Sequence, residues 1–202
     1  MKHAGAQLCR KFAFFGIAIF GAACSLPGPL PAEYVLGAMP AATATTVPQT
    51  GLPIVELKRI QLPDYLDTTD ILERKGDEVV PSATGRWGER LSVGMSRALT
   101  AALAARLPRM IVTATPPVAR PARQILVDVA DFEARTGHEV VLVARWSITD
   151  GAGRQVLVAQ QTSLVEPIAG TSDSAIVAAM SRAVEDLADQ LAAGIESNPQ
   201  PR

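Results

Sequence analysis

Histidine and cysteine are scarce in this chain, with two of each in 202 residues. If an N-terminal leader is removed, only Cys24 and His138 remain. A single cysteine excludes a disulfide framework within the chain. A single histidine excludes a zinc site built from several Cys/His ligands of one chain. Any Ser/His/Asp triad would have to use His138. That residue stands in Thr136-Gly137-His138-Glu139, which reads as a loop between two strands and a solvated imidazole. There is no glycine-rich phosphate loop either. Gly151-Ala152-Gly153 lacks a third glycine and a following helix, so it reads as a turn. Asp64, Asp67 and Asp70 recur every three residues near Tyr65, but without the Gly and Glu of a calcium loop they read as a solvated edge. The expectation is no catalytic residue and no metal.

A membrane-spanning run is also missing. Residues 12–23 are apolar, about half of the ~20 residues a spanning helix needs, and Pro27, Gly28 and Pro29 break any continuation beyond them. Lys2, Arg10 and Lys11 precede the run. A basic start, a short apolar stretch and small residues are the parts of a secretory signal. The small residues Gly21, Ala22 and Ala23 lead directly to Cys24, the position at which a bacterial lipoprotein is cleaved and acylated. Gly21 departs from the leucine usual three places before such a cysteine. Residues 1–23 are therefore expected to be a lipoprotein signal peptide, with lipid on Cys24 as the only attached group and no other cofactor. In lipoprotein sorting an aspartate after the cysteine retains the protein at the inner membrane. Ser25 stands there, favouring the periplasmic face of the outer membrane.

Without Lys2, Arg10 and Lys11, 16 basic residues face 20 acidic ones. The mature net charge of about −4 gives no general attraction to nucleic acid or anionic lipid. Residues 24–53 are rich in Pro, Ala, Thr and Gly and read as anchor and flexible linker, with Tyr34-Val35-Leu36 as an island able to pair as a short strand. Residues 54–196 read as one domain and 197–202 as a loose tail.

Within the domain, residues 54–60 predict a strand and Leu62-Pro63-Asp64-Tyr65-Leu66 a turn. Residues 70–74 and 78–80 flank Lys75-Gly76-Asp77 as a hairpin. Trp87, Leu91, Met95, Ala98, Leu99, Ala102 and Leu103 recur at three-and-four spacing, predicting a helix over 85–107 that Pro108 limits. A short strand over 110–113, a Pro-rich loop and three strands over 124–132, 140–148 and 155–165 come next. The three strands form an antiparallel meander with one buried face. Ile176, Met180, Ala183, Val184, Leu187 and Leu191 predict a final helix, capped by Thr171 or Ser172. The fold class expected is α+β: a two-layer sandwich of a mostly antiparallel or mixed sheet with two long helices on one face.

The ordered series Cys24, Tyr34-Val35-Leu36-Gly37, Leu62-Pro63-Asp64-Tyr65-Leu66-Asp67, Asp70-Ile71-Leu72-Glu73-Arg74, Arg86-Trp87-Gly88-Glu89-Arg90-Leu91 and Leu103-Ala104-Ala105-Arg106-Leu107-Pro108 resembles the ABC-type transport auxiliary lipoprotein family. This is the PqiC-like outer-membrane component of MCE lipid transport systems. The likeness continues more loosely through Val127-Val129-Phe132, Ala144-Arg145-Trp146 and the final helix. It implies a non-enzymatic docking subunit serving lipid trafficking and membrane integrity. Its partners would be a periplasmic MCE-domain protein and, through it, an ABC permease and ATPase, with self-association open. Of site residues, only the lipidation position carries over, onto Cys24. Leu62, Pro63, Tyr65, Leu66, Arg86 and Trp87 are candidates for partner contact. Two other readings remain: an outer-membrane assembly lipoprotein tied to no transporter, and a periplasmic enzyme using Asp64, Asp67 or His138.

Overall fold

The structure, a computed structural model, describes residues 30–37, 51–136 and 138–198. Residues 1–23, expected to be a signal peptide, and Cys24 and Ser25 lie outside the described residues. Eight strands form one mixed sheet, and two long helices cover one of its faces, the α+β sandwich expected. The strands are β1 (Ala32–Tyr34), β2 (Ile54–Leu57), β3 (Asp70–Lys75), β4 (Glu78–Trp87), β5 (Ile111–Thr113), β6 (Arg123–Arg135), β7 (Glu139–Asp150) and β8 (Val156–Pro167). The helices are α1 (Leu91–Arg106) and α2 (Asp173–Glu196). Among the described residues no helix is long and apolar enough to cross a membrane.

β6, β7 and β8 form the antiparallel meander. The free edge of β6 is shared by two parallel neighbours. β2 pairs its start, with Leu57 opposite Ile125, and β3 pairs its end, with Arg74 opposite Arg135. Gln61 bridges to Asp128 between them. β5 extends the sheet beyond β2, and β4 then β1 extend it beyond β3. The sheet therefore forks along β6, and the turn at 62–69 occupies the fork.

The apolar period of each strand decides its core side. Ile125, Val127 and Val129 alternate inward, then a bulge between Val129 and Asp131 shifts the phase so that Phe132 and Ala134 keep facing the core. Val140, Leu142, Ala144, Trp146 and Ile148 face it from β7. Leu91, Met95, Leu99 and Leu103 bury one stripe of α1, each contributing about 1.5–3 kcal/mol. Ser172 caps α2, its hydroxyl accepting from the Ala175 amide at 3.3 Å. At the other end Gly194 lets α2 lie directly on β7, since a Cβ there would stand 2.8 Å from Ile148 Cδ1.

One expectation is corrected. The helix does not begin near 85. Gly85, Arg86 and Trp87 end β4, where they pair with Ala32, Glu33 and Tyr34 of β1. Trp87 is buried from the strand, so its match to the Leu91 spacing was coincidental. The island within 24–53 does pair as a short strand, two residues earlier than Tyr34-Val35-Leu36. Residues 32–34 are a sheet strand, and Leu36 is 1% exposed within the core.

Candidate docking surface

The helices cover one face of the β6–β8 meander and leave the other open. Alternation along the strands decides what the open face carries: Leu126 and Asp128 from β6, Val143, Arg145 and Ser147 from β7, and Ala159, Gln161 and Val165 from β8, while Glu133, on the same side of β6, is buried beneath Arg74. Leu126 and Val165 are exposed large apolar side chains. Asp128 pairs with Arg145 across strands at 3.5 Å, both solvated. At the fork, Lys58, Arg59 and Gln61 rise beside Leu126 and Arg145 and close a groove of about 730 Å³. Lys58 is tied to Glu56 at 2.9 Å, and the Gln124 amide also donates to Glu56. The groove thus sets Leu126 and Ala159 among amide and ion-paired side chains, a mixed surface suited to an extended chain or a flat protein surface.

Tyr65 stands above the end of β6, 38% exposed. The Arg74 guanidinium donates to the Tyr65 hydroxyl at 3.0 Å and lies over its ring, 5.6 Å from the centroid. Arg74 is itself held by Glu133, whose side chain is fully buried. Hydrogen bonding to Glu133 raises the Arg74 pKa and keeps its charge fixed. Partial burial, then the Glu133 charge, pushes the Tyr65 hydroxyl above its ordinary value, so it remains a neutral phenol. An aromatic ring locked by a buried ion pair is a preorganised contact, because little rotamer freedom is lost on binding.

The other candidates divide. Leu62 and Pro63 are half-buried beside Tyr65 in the same turn. Leu66 and Trp87 are 1% and 3% exposed, so their side chains belong to the core and not to a contact surface. Arg86 is exposed, but it sits at the β1–β4 edge, paired with Glu33, away from the open face of β6. The set is therefore not one patch: Leu62 packs partly against the core, and Tyr65 alone is linked, through Arg74 and Glu133, to the side of β6 away from the helices.

Lys58, Arg59, Arg74, Leu126 and Glu133 were not foreseen. One signal was readable: Leu126 interrupts the alternation of β6 by placing an apolar side chain among outward positions. Glu133 gave none, because its partner lies 59 residues earlier in the chain.

The residues required by an enzymatic reading do not converge. Asp67 is committed to the start of α1, where its carboxylate accepts from the Ser92 amide at 3.1 Å and pairs with Arg90 at 3.1 Å. His138 is exposed in the β6–β7 turn with φ of 61°, and Asp64 is exposed in the fork turn. Among the described residues no group of three His, Cys, Asp or Glu side chains is placed to hold a metal ion.

Residues 34–192 match the family model described as ABC-type transport auxiliary lipoprotein component. The chain belongs to that family, a family of transport auxiliaries and not a known enzyme family. Among solved structures, it is similar to an uncharacterized protein at 18% identity and a TM-score of 0.69, covering 82% of this chain and 98% of that one. It is also similar to a Xanthomonas campestris protein of the DUF330 family at 15% identity and a TM-score of 0.58, covering 80% of this chain and 90% of that one. At these identities the likeness concerns the fold. No curated protein matches the sequence.

Proposed function

We propose that this chain is the lipid-anchored auxiliary subunit of an MCE-type ABC transport system. Acyl chains on Cys24 hold it at the periplasmic face of the outer membrane. Its domain docks the periplasmic MCE-domain protein there and, through it, engages the ABC permease and ATPase that drive lipid trafficking. The observation that carries this reading is the match of the transport auxiliary lipoprotein family over 34–192, which runs from β1 nearly to the end of α2. The apolar run ending at Cys24 supports the anchor. The anchored species needs more than one acyl chain, since a single chain binds membranes only marginally. The exposed Tyr65 ring and the groove beside Leu126 support docking through the open sheet face.

Affinity capture of the tagged full chain from gently solubilised membranes tests the reading. The expected co-purifying proteins are an MCE-domain protein and an ABC ATPase. Recovery of a β-barrel assembly protein instead would point to an assembly lipoprotein and overturn the transport role.

A further inference from the structure

The docking of β1 shortens the tether, and a short tether decides which end of the domain meets the membrane. Leu30 lies only six residues beyond Cys24. Those residues reach at most about 20–22 Å when fully extended. From Leu30 the chain enters β1, and its course is then fixed. β1 runs parallel to β4, and β4 runs antiparallel to β3. β3 is parallel to β6, so the chain enters β1 from the end at which β6 finishes. That end carries the β3–β4 turn at Gly76 and Asp77, the β6–β7 turn at His138 and the start of α2. Thr84 confirms the level, its hydroxyl donating to Asp173 in the first turn of α2 at 2.6 Å.

The opposite end holds the start of β6, the β7–β8 turn and the end of α2. Arg123 is paired with Asp150, and its guanidinium donates to the Asn198 carbonyl at 2.9 Å. The thirteen residues of β6 separate the two ends by about 40 Å.

We infer that the end bearing Leu30, Asp77, His138 and the start of α2 is the surface this protein presents to the lipid bilayer. The inference rests on the proposed acylation of Cys24. An inverted domain, with the β7–β8 turn at the bilayer, would hold Leu30 about 40 Å away, roughly twice the reach of the tether. Electrostatic attraction does not set this orientation, because Lys75 is offset there by Asp77 and Glu78. The tether sets it, aided by Leu30, an exposed apolar side chain at 92% accessibility next to the anchor. The far end, with the groove beside Leu126, is thereby turned away from the bilayer, whereas Tyr65, above the end of β6, lies on the bilayer side of the open face.

Energy transfer in vesicles tests this. The mature chain has no cysteine other than Cys24, so D77C and A152C each accept one donor dye. The full acylated protein is reconstituted into phosphatidylethanolamine/phosphatidylglycerol vesicles containing an acceptor-labelled lipid, and mass spectrometry of the N-terminal peptide verifies the acyl group. The expected result is strong transfer from position 77 and at least several-fold weaker transfer from position 152. A twenty-residue Gly/Ser insertion between Pro29 and Leu30 removes the difference. Equal transfer from the two sites, or stronger transfer from 152, in verified acylated protein overturns the orientation while leaving the anchor intact. An unmodified Cys24 in protein isolated from membranes overturns the anchor and the orientation with it.

Discussion

The Gly37 amide donates to the Ser181 hydroxyl across 3.1 Å, fastening the N-terminal segment to the middle of α2. Gly37 has φ of 86°, and a Cβ on it would stand 2.8 Å from the Ala98 Cβ of α1. The position therefore needs glycine for conformation and for space. Gly37→Val is expected to destabilise the domain by about 1–3 kcal/mol, read as a lowered melting temperature. Hydrogen exchange should accelerate first in residues 32–36. An unchanged melting curve with β1 still protected would show that this junction does not hold the segment.

The Arg74–Glu133 pair makes a second prediction. Arg74→Met leaves a fully buried carboxylate without its cation, a loss of about 3 kcal/mol. The double variant R74M/E133M should recover most of that loss, because it removes the charge together with its partner. Denaturant unfolding of the two singles and the double gives the coupling directly. Additive losses would mean the pair is not coupled.

Asp67 governs part of the acid stability. Burial would raise its pKa, but hydrogen bonds from Ser92 and the Arg90 guanidinium outweigh burial and hold it below the ordinary carboxylate value. A depressed folded pKa contributes stability that is complete above the unfolded value of about 3.9 and is lost as pH falls through the folded value. Asp67→Asn should flatten that portion of the acid limb. Asp67→Ala should cost about 1 kcal/mol at neutral pH through the lost cap. Melting temperatures from pH 7 to pH 2 check both.

Tyr65 and Trp87 are both candidates for partner contact in the sequence, Trp87 also matching a core stripe, and they should behave oppositely. Tyr65→Ala removes an exposed ring and is expected to weaken binding of the proposed MCE-domain partner at least tenfold, with the fold retained. Trp87→Ala empties a core position and should cost about 3–5 kcal/mol in stability. Calorimetric binding beside thermal unfolding separates the two. Full partner affinity in the Tyr65 variant would remove that ring from the docking surface.

How far each feature could be read in the sequence depended on the range of its signal. The meander and both helices announced themselves because Val140 to Ile148 and Leu91 to Leu103 carry their own apolar period. The bulge in β6 was also written locally, in the three-residue step from Val129 to Phe132 where two was due. Trp87 misled because four residues before Leu91 is a helical spacing, and a strand ending beside a helix start can mimic it by chance. The cap of α1 was hidden for another reason. Arg90 occupies the N-cap without a side-chain cap, and the carboxylate that serves comes from Asp67, brought there by the fork turn. The docking of 32–37 rests on contacts of Gly37 with Ala98 and Ser181, 61 and 144 residues away, which no local pattern announces.

Vesicle flotation tests the central claim most directly. Purified acylated protein on phosphatidylethanolamine/phosphatidylglycerol vesicles is mixed with the purified MCE-domain protein and floated through a density gradient. The MCE-domain protein is expected to rise with the vesicles when the acylated chain is present and to stay below when Cys24→Ala replaces it. An MCE-domain protein that remains at the bottom with the acylated chain fully floated would contradict the docking role.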